Sequence, residues 1–178
     1  MDTQTFVNEL KASLEFFTRS TSCLTEKHAH FAPSPDVMTT CQQIAHVGQT
    51  IDWFMEGIVG EGFDMNFEEH LNDVRKVTTM AEARDWVNVS YAKAMGIAST
   101  SSIEDLAVPM PEDSPVFANT PKFVAFPSIV EHTAHHRGAL TIYSRLLGLT
   151  PAMPYMEAPG EEPQAAVETD AKSKAKSM

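Results

Sequence analysis

The chain has 178 residues, 43% of them hydrophobic, enough for one sizeable core and with nothing that calls for a second domain. With 24 acidic against 13 basic residues the formal charge is −11, which excludes a nucleic-acid binder that works by neutralising phosphates. No window approaches about 18 uninterrupted apolar residues, and the N-terminus MDTQTFVNELK lacks a basic stretch followed by an apolar core, so neither a membrane span nor a secretory leader is expected.

The first helix is expected over Thr5 to Thr18, where Phe6, Leu10, Leu14 and Phe17 recur at three- and four-residue intervals. A breaker-rich loop follows with His28, His30, Pro33 and Pro35, and its histidines read as solvated. Asp36 is the expected N-cap of a second helix reaching about Ile58, with Val37, Cys41, Ile44, Gly48, Ile51 and Met55 in one stripe. Cys23 and Cys41 fall in separate elements and in no CxxC pair, and read as buried free thiols in a reducing cytoplasm. Residues 60–78, with Gly62, Asn66, His70 and Asn72, read as a long crossover loop.

Thr79-Met-Ala-Glu82 has the capping-box pattern and opens a third helix through Trp86, Tyr91 and Ile97. Ser101-Ser-Ile-Glu104 repeats the pattern and starts a single turn before a loop holding Pro109, Pro111 and Pro115. The fourth helix begins after Thr120-Pro121 or at Pro127, with a kink or late start at Pro127, and ends near Leu147 with Gly148 just beyond. Past Tyr155 large apolar residues almost vanish, so the expected organisation is a four-helix bundle over residues 1–155 and a flexible, disordered tail over 156–178.

The fourth helix carries the chemistry, for three of the seven histidines lie in Glu131-His132-Thr133-Ala134-His135-His136-Arg137-Gly138. At about 100° per residue, His132 and His136 project from the middle of the stripe formed by Ile129, Leu140, Tyr143 and Leu147. Arg137, Thr141, Ser144 and Arg145 fall on the opposite arc and should meet water. Two imidazoles one turn apart are within reach of one metal ion. The alternative is a pair of core histidines, each with its own hydrogen-bond partner. His135 sits on the flank of the stripe and is expected behind the ligands or at the exposed edge.

On the second helix, His46 lies opposite the aliphatic stripe, beside Gln42, Gln49 and Trp53. Periodicity therefore suits a solvent-facing histidine, unless this polar face lines a wet cleft while the stripe is covered from elsewhere. Among Gln42, Gln43, Gln49 and Asp52, which are candidates to support a ligand or touch substrate, helical phase favours Gln42 and Gln49 and sets Asp52 aside.

With IAHVGQTIDW around His46 and HTAHHRGA from His132 to Ala139, residues 36–155 resemble the DinB (damage-inducible)/YfiT-like family of metalloenzymes. That family's pattern is a histidine in mid helix two and HxxxHRGQ on helix four. The chain departs from it at Ala139, where glutamine is usual, so a contact from that amide is lost but no ligand is. The resemblance implies an all-α bundle of DinB/YfiT-like, mirror-type topology, a homodimer, and a divalent ion, zinc or nickel, held by His46, His132 and His136. His135, Gln42, Gln49 and Tyr143 are the candidates for supporting positions. Functionally it implies a thiol-dependent transferase or a hydrolase acting on a small molecule, with a low-molecular-weight thiol as one partner. A non-catalytic metal-binding bundle is the competing expectation.

Overall fold

A computed structural model describes residues 2–156, and these are helical, with no strand beyond two isolated bridges at Pro109–Pro121 and Met110–Ala118. Four long helices, α1 (Thr3–Thr21), α2 (Thr40–Val59), α4 (Met80–Thr100) and α6 (Ala125–Leu146), make the bundle. Two shorter ones, α3 (Phe67–Lys76) and α5 (Ile103–Ala107), lie in its connections. None of these helices is long and apolar enough to cross a membrane. The tail expected over 156–178 falls, apart from Met156, outside the described residues.

The direction of each helix follows from its contacts. Phe6 stacks on Phe126, with ring centroids 5.0 Å apart, and Cys23 Sγ lies 3.5 Å from Ser144 Oγ, so α1 and α6 run parallel. Cys41 Sγ reaches Val77 O just before α4, and Asp52 accepts from Trp86 Nε1 at 2.8 Å and Ser90 Oγ at 2.9 Å, so α2 and α4 are also parallel. Ser13 with Tyr91, and Thr21 with Arg84, run α1 against α4. Tyr143 with Met38, and His136 with Gln43, run α2 against α6. The order is therefore up, down, down, up, with α1 diagonal to α2 and α4 diagonal to α6.

Several ends differ from the sequence reading. Helix α2 begins not after Asp36 but after Thr39, whose side chain accepts from Gln42 N while the Gln42 amide oxygen accepts from Thr39 N. That reciprocal pair satisfies two free N–H groups, and Val37 is left exposed. The supposed loop at 60–78 contains α3, which was hidden because only Val74 of it is buried; its acidic first turn and basic last turn match the helix dipole. Pro127 sits in the first turn of α6, where a missing N–H breaks no bond, and the helix starts two residues earlier, at Ala125, after a 3₁₀ turn at Lys122–Val124. Gly148, at φ 75°, closes α6 as expected, its N–H bonding to Arg145 O at 3.0 Å.

Two arrangements fix the packing around the site. Gly48 lets α2 approach α4 so closely that a Cβ there would lie 3.0 Å from Val87 N. Tyr91, fully buried, joins three helices: its hydroxyl is 2.8 Å from Ser13 Oγ on α1 and 2.8 Å from Thr133 Oγ1 on α6. A phenol withdrawn from water in this way leaves no orphaned group.

Candidate metal centre

Helix α2 is buried on nearly every side, because α4 covers its aliphatic stripe and α6 covers its polar face. The second reading of His46 therefore holds: its polar face is turned toward α6 and lines an interior cleft. His46 is half-buried, and its ring centroid lies 5.2 Å from that of His132 and 4.9 Å from that of His136. His132 and His136, one turn apart on α6, bring their Nε2 atoms to 3.0 Å. One ring nitrogen from each of the three lies within 4.8 Å of the other two.

The outer nitrogens of two of these rings are anchored. Gln49 Oε1 accepts from His46 Nδ1 at 3.1 Å, and Gln43 Oε1 accepts from His136 Nδ1 through a short hydrogen bond. Each amide oxygen fixes the tautomer with the proton on Nδ1 and leaves the Nε2 lone pair directed inward. His132 Nδ1 is buried with no partner among the described residues. Burial, together with the charge each neighbour would carry, holds these rings neutral. His132 is pushed down to about 4 and His136 to about 3, and His46 is lowered as well, in each case first by burial.

Of the expected supporting residues, only some are in place. Gln49 supports His46, but Gln42 is occupied by the α2 cap, and its amide nitrogen reaches Arg75 O at 3.5 Å. Tyr143 points away toward the α1–α2 connection, donating to Met38 O at 3.0 Å. His135 is exposed and meets His136 edge-on at 4.9 Å. Gln43 takes the place expected of Gln42. It lies about 60° to one side of His46 where Gln42 lies about 40° to the other, and periodicity does not say which flank faces α6. His28 is buried, with Nδ1 accepting from Thr25 N at 3.0 Å in a capping role, while His30 is exposed, so that pair forms no second cluster. Asp52, set aside on phase, serves instead to bind α2 to α4.

Beside His132 a cavity of about 490 Å³ opens between the bundle and the 101–124 connection, walled by Trp53, Phe54, Val116, Phe117, Ser128 and Glu131. Phe117 adopts a left-handed backbone, φ 60°, which a bulky side chain rarely takes. It is held there by Thr120, whose N–H and hydroxyl both bond to Phe117 O, and by stacking on Phe54 at 5.8 Å. The imidazole cluster is thus flanked by an open, mainly apolar hollow with a single carboxylate at its wall.

The three imidazoles suit a divalent ion. Bonds of about 2.0–2.1 Å to a common tetrahedral centre place nitrogens about 3.3 Å apart, close to the spacing of the two α6 rings. The Nε2 atoms of His132 and His136 have no partner among the described residues other than each other.

Known proteins bear on this arrangement in two ways. No curated protein matches the chain. Among solved structures, the crystal structure of a DinB-like protein from Bacillus cereus ATCC 10987 shares the fold at a TM-score of 0.64 with 20% identity, covering 83% of this chain and 94% of that one. The family model of the DinB superfamily matches residues 9–140, most of the bundle and all three histidines, and the chain belongs to that superfamily.

Proposed function

We propose that the protein is a divalent-metal enzyme in which His46, His132 and His136 hold a zinc or nickel ion and a small electrophile binds in the adjoining pocket. The carrying observation is the convergence of three neutral imidazole nitrogens within 4.8 Å beside an open, mainly apolar hollow. A bound ion of this kind would lower the pKa of a water or thiol and polarise an electrophile. The chain's own residues supply the rest. Gln43 and Gln49 orient two of the rings. Trp53, Phe54 and Phe117 exclude water from the substrate's apolar part, and Glu131 offers an acceptor at the rim. Three protein ligands leave room for an exogenous one, which separates a reactive site from a closed structural one. The reaction class best suited is a thiol-dependent transfer or a hydrolysis, with a low-molecular-weight thiol or water as nucleophile. Ile142 and Leu146, exposed one turn apart on α6, support a homodimer, and the two free cysteines suit a reducing cytoplasm.

Metal analysis of protein purified without a histidine tag, followed by turnover assays with small electrophiles and cellular thiols, tests this reading. One equivalent of metal and a turnover lost in His132→Ala, with helicity retained, is the expected result. Stoichiometric metal with no turnover across a broad panel would make the bundle a binding protein, and absence of metal would remove the centre altogether.

A further inference from the structure

A second cavity lies on the α1 side of α6 and meets the pocket beside His132 only at Pro127 and Glu131, which line both. It occupies about 490 Å³ between α1 and α6, and its walls are mainly apolar, from Ala12, Phe16, Pro127, Val130 and Ala134. Two carboxylates, Glu9 and Glu131, border one end and Arg137 borders the other. Because α1 and α6 run parallel, the six residues from Glu131 to Arg137 separate these ends by about 9 Å.

Arg137 departs from expectation. Helical phase assigned it to water, yet it is half-buried, its guanidinium lying 5.8 Å from the Phe16 ring centroid and 5.7 Å from that of Tyr155. Its Nη1 is buried with no hydrogen-bond partner among the described residues. Leaving a charged donor unmatched in this way is costly. The two aromatic faces hold the guanidinium plane in place while supplying no acceptor. Arg137 also borders an adjoining hollow of about 470 Å³ whose lining includes Thr141, Arg145, Thr150 and Pro154.

We propose that the α1–α6 groove is a binding site for a small amphipathic anion, whose carboxylate or equivalent group pairs with Arg137 and whose apolar body lies along Phe16, Val130 and Ala134. The acidic end fixes the orientation, because an anion placed beside Glu9 and Glu131 is repelled. The cavity volume falls in the range of about 300–1,000 Å³ usual for small-molecule sites. This site is separate from the imidazole cluster, since Thr133, Ala134 and Arg137 face α1 where His132 and His136 face α2.

The test uses the full chain with 4-phenylbutyrate, the uncharged 4-phenylbutan-1-ol and acetate as probes, followed by calorimetry and thermal shift, with and without a chelator. Saturable binding of 4-phenylbutyrate that survives chelation, with at least tenfold weaker binding of the alcohol and of acetate, is the expected result. Arg137→Gln should weaken it at least tenfold, the range for losing one charge-assisted hydrogen bond, and leave metal content unchanged. Ala12→Phe fills the groove from α1 while leaving every residue of α6 unchanged, and should abolish binding. No saturable binding, binding that disappears with the metal, or equal affinity in both variants overturns the proposal. So does loss of dimerisation in Ala12→Phe without any probe binding to wild type, which would make the groove a contact between two copies.

Discussion

Acidifying the metal-free protein should unfold it through the imidazole cluster, and the size of the effect follows from burial. His132 titrates near 6.5 in the unfolded chain and at about 4 in the fold. A folded-state pKa that is lowered means a contribution fully present above pH 6.5 and lost as pH falls toward 4, because only the unfolded chain takes up the proton. At pH 5 the unfolded imidazole is almost wholly protonated and the native one is not, a difference of about 2 kcal/mol, or about 1–2 kcal/mol after allowing for the partly exposed ring. Urea unfolding at pH 7 and pH 5, with a chelator throughout, measures it in wild type and in His132→Gln. Removing the ring should reduce the stability lost between the two pH values by at least that amount, because His136, whose pKa the His132 charge helps to lower, is relieved as well, while the carboxylates contribute equally to both proteins. Equal pH dependence in the two would mean that His132 is not held neutral in the fold, and the account of the cluster would fail.

Three further outcomes follow from single contacts. Gln43→Leu removes the acceptor on His136 Nδ1 and should weaken metal binding by about 10–100-fold in competition with a chromogenic chelator; wild-type affinity would show the amide to be idle. Tyr91→Phe leaves Ser13 and Thr133 hydroxyls without their shared partner and should lower unfolding free energy by about 1–3 kcal/mol, with unchanged stability counting against a chain that crosses three helices. Gly48→Ala gains about 1 kcal/mol of helix propensity yet presses α2 against the Val87 backbone, so the melting temperature should fall, and a rise would show that the helices have room to part.

The elements legible in the sequence were those whose apolar residues repeat along one face. Helices α1, α4 and α6 have such faces or clear caps, and His132 and His136 could be paired from spacing alone. Helix α3 escaped because charge order, not apolar periodicity, stabilises it, and one buried valine is too faint a signal. For His46 the obstacle was different: a helix packed on two sides hides a polar interior face that, in one dimension, is indistinguishable from a solvated one. Ser144 and Arg137 were misplaced for the same reason. Helix α6 meets α2 on one side and α1 on the other, so Arg137 and Ser144 on the arc opposite the histidines turn toward α1, Ser144 fully buried with its hydroxyl on Leu140 O, while Arg145 on the same arc is exposed as expected. Supporting contacts such as Gln43 to His136 join residues 93 apart and exist only once the crossover topology is known.

That topology also governs when the centre can form. One imidazole is made with the second bundle helix and the other two with the last, and the parallel pairing of α2 with α4 obliges the chain to travel back along the bundle before α6 can dock. No nascent fragment ending before residue 136 contains all three histidines, so an ion that binds the finished site would stabilise only the fully wound molecule and discriminate it from every shorter intermediate.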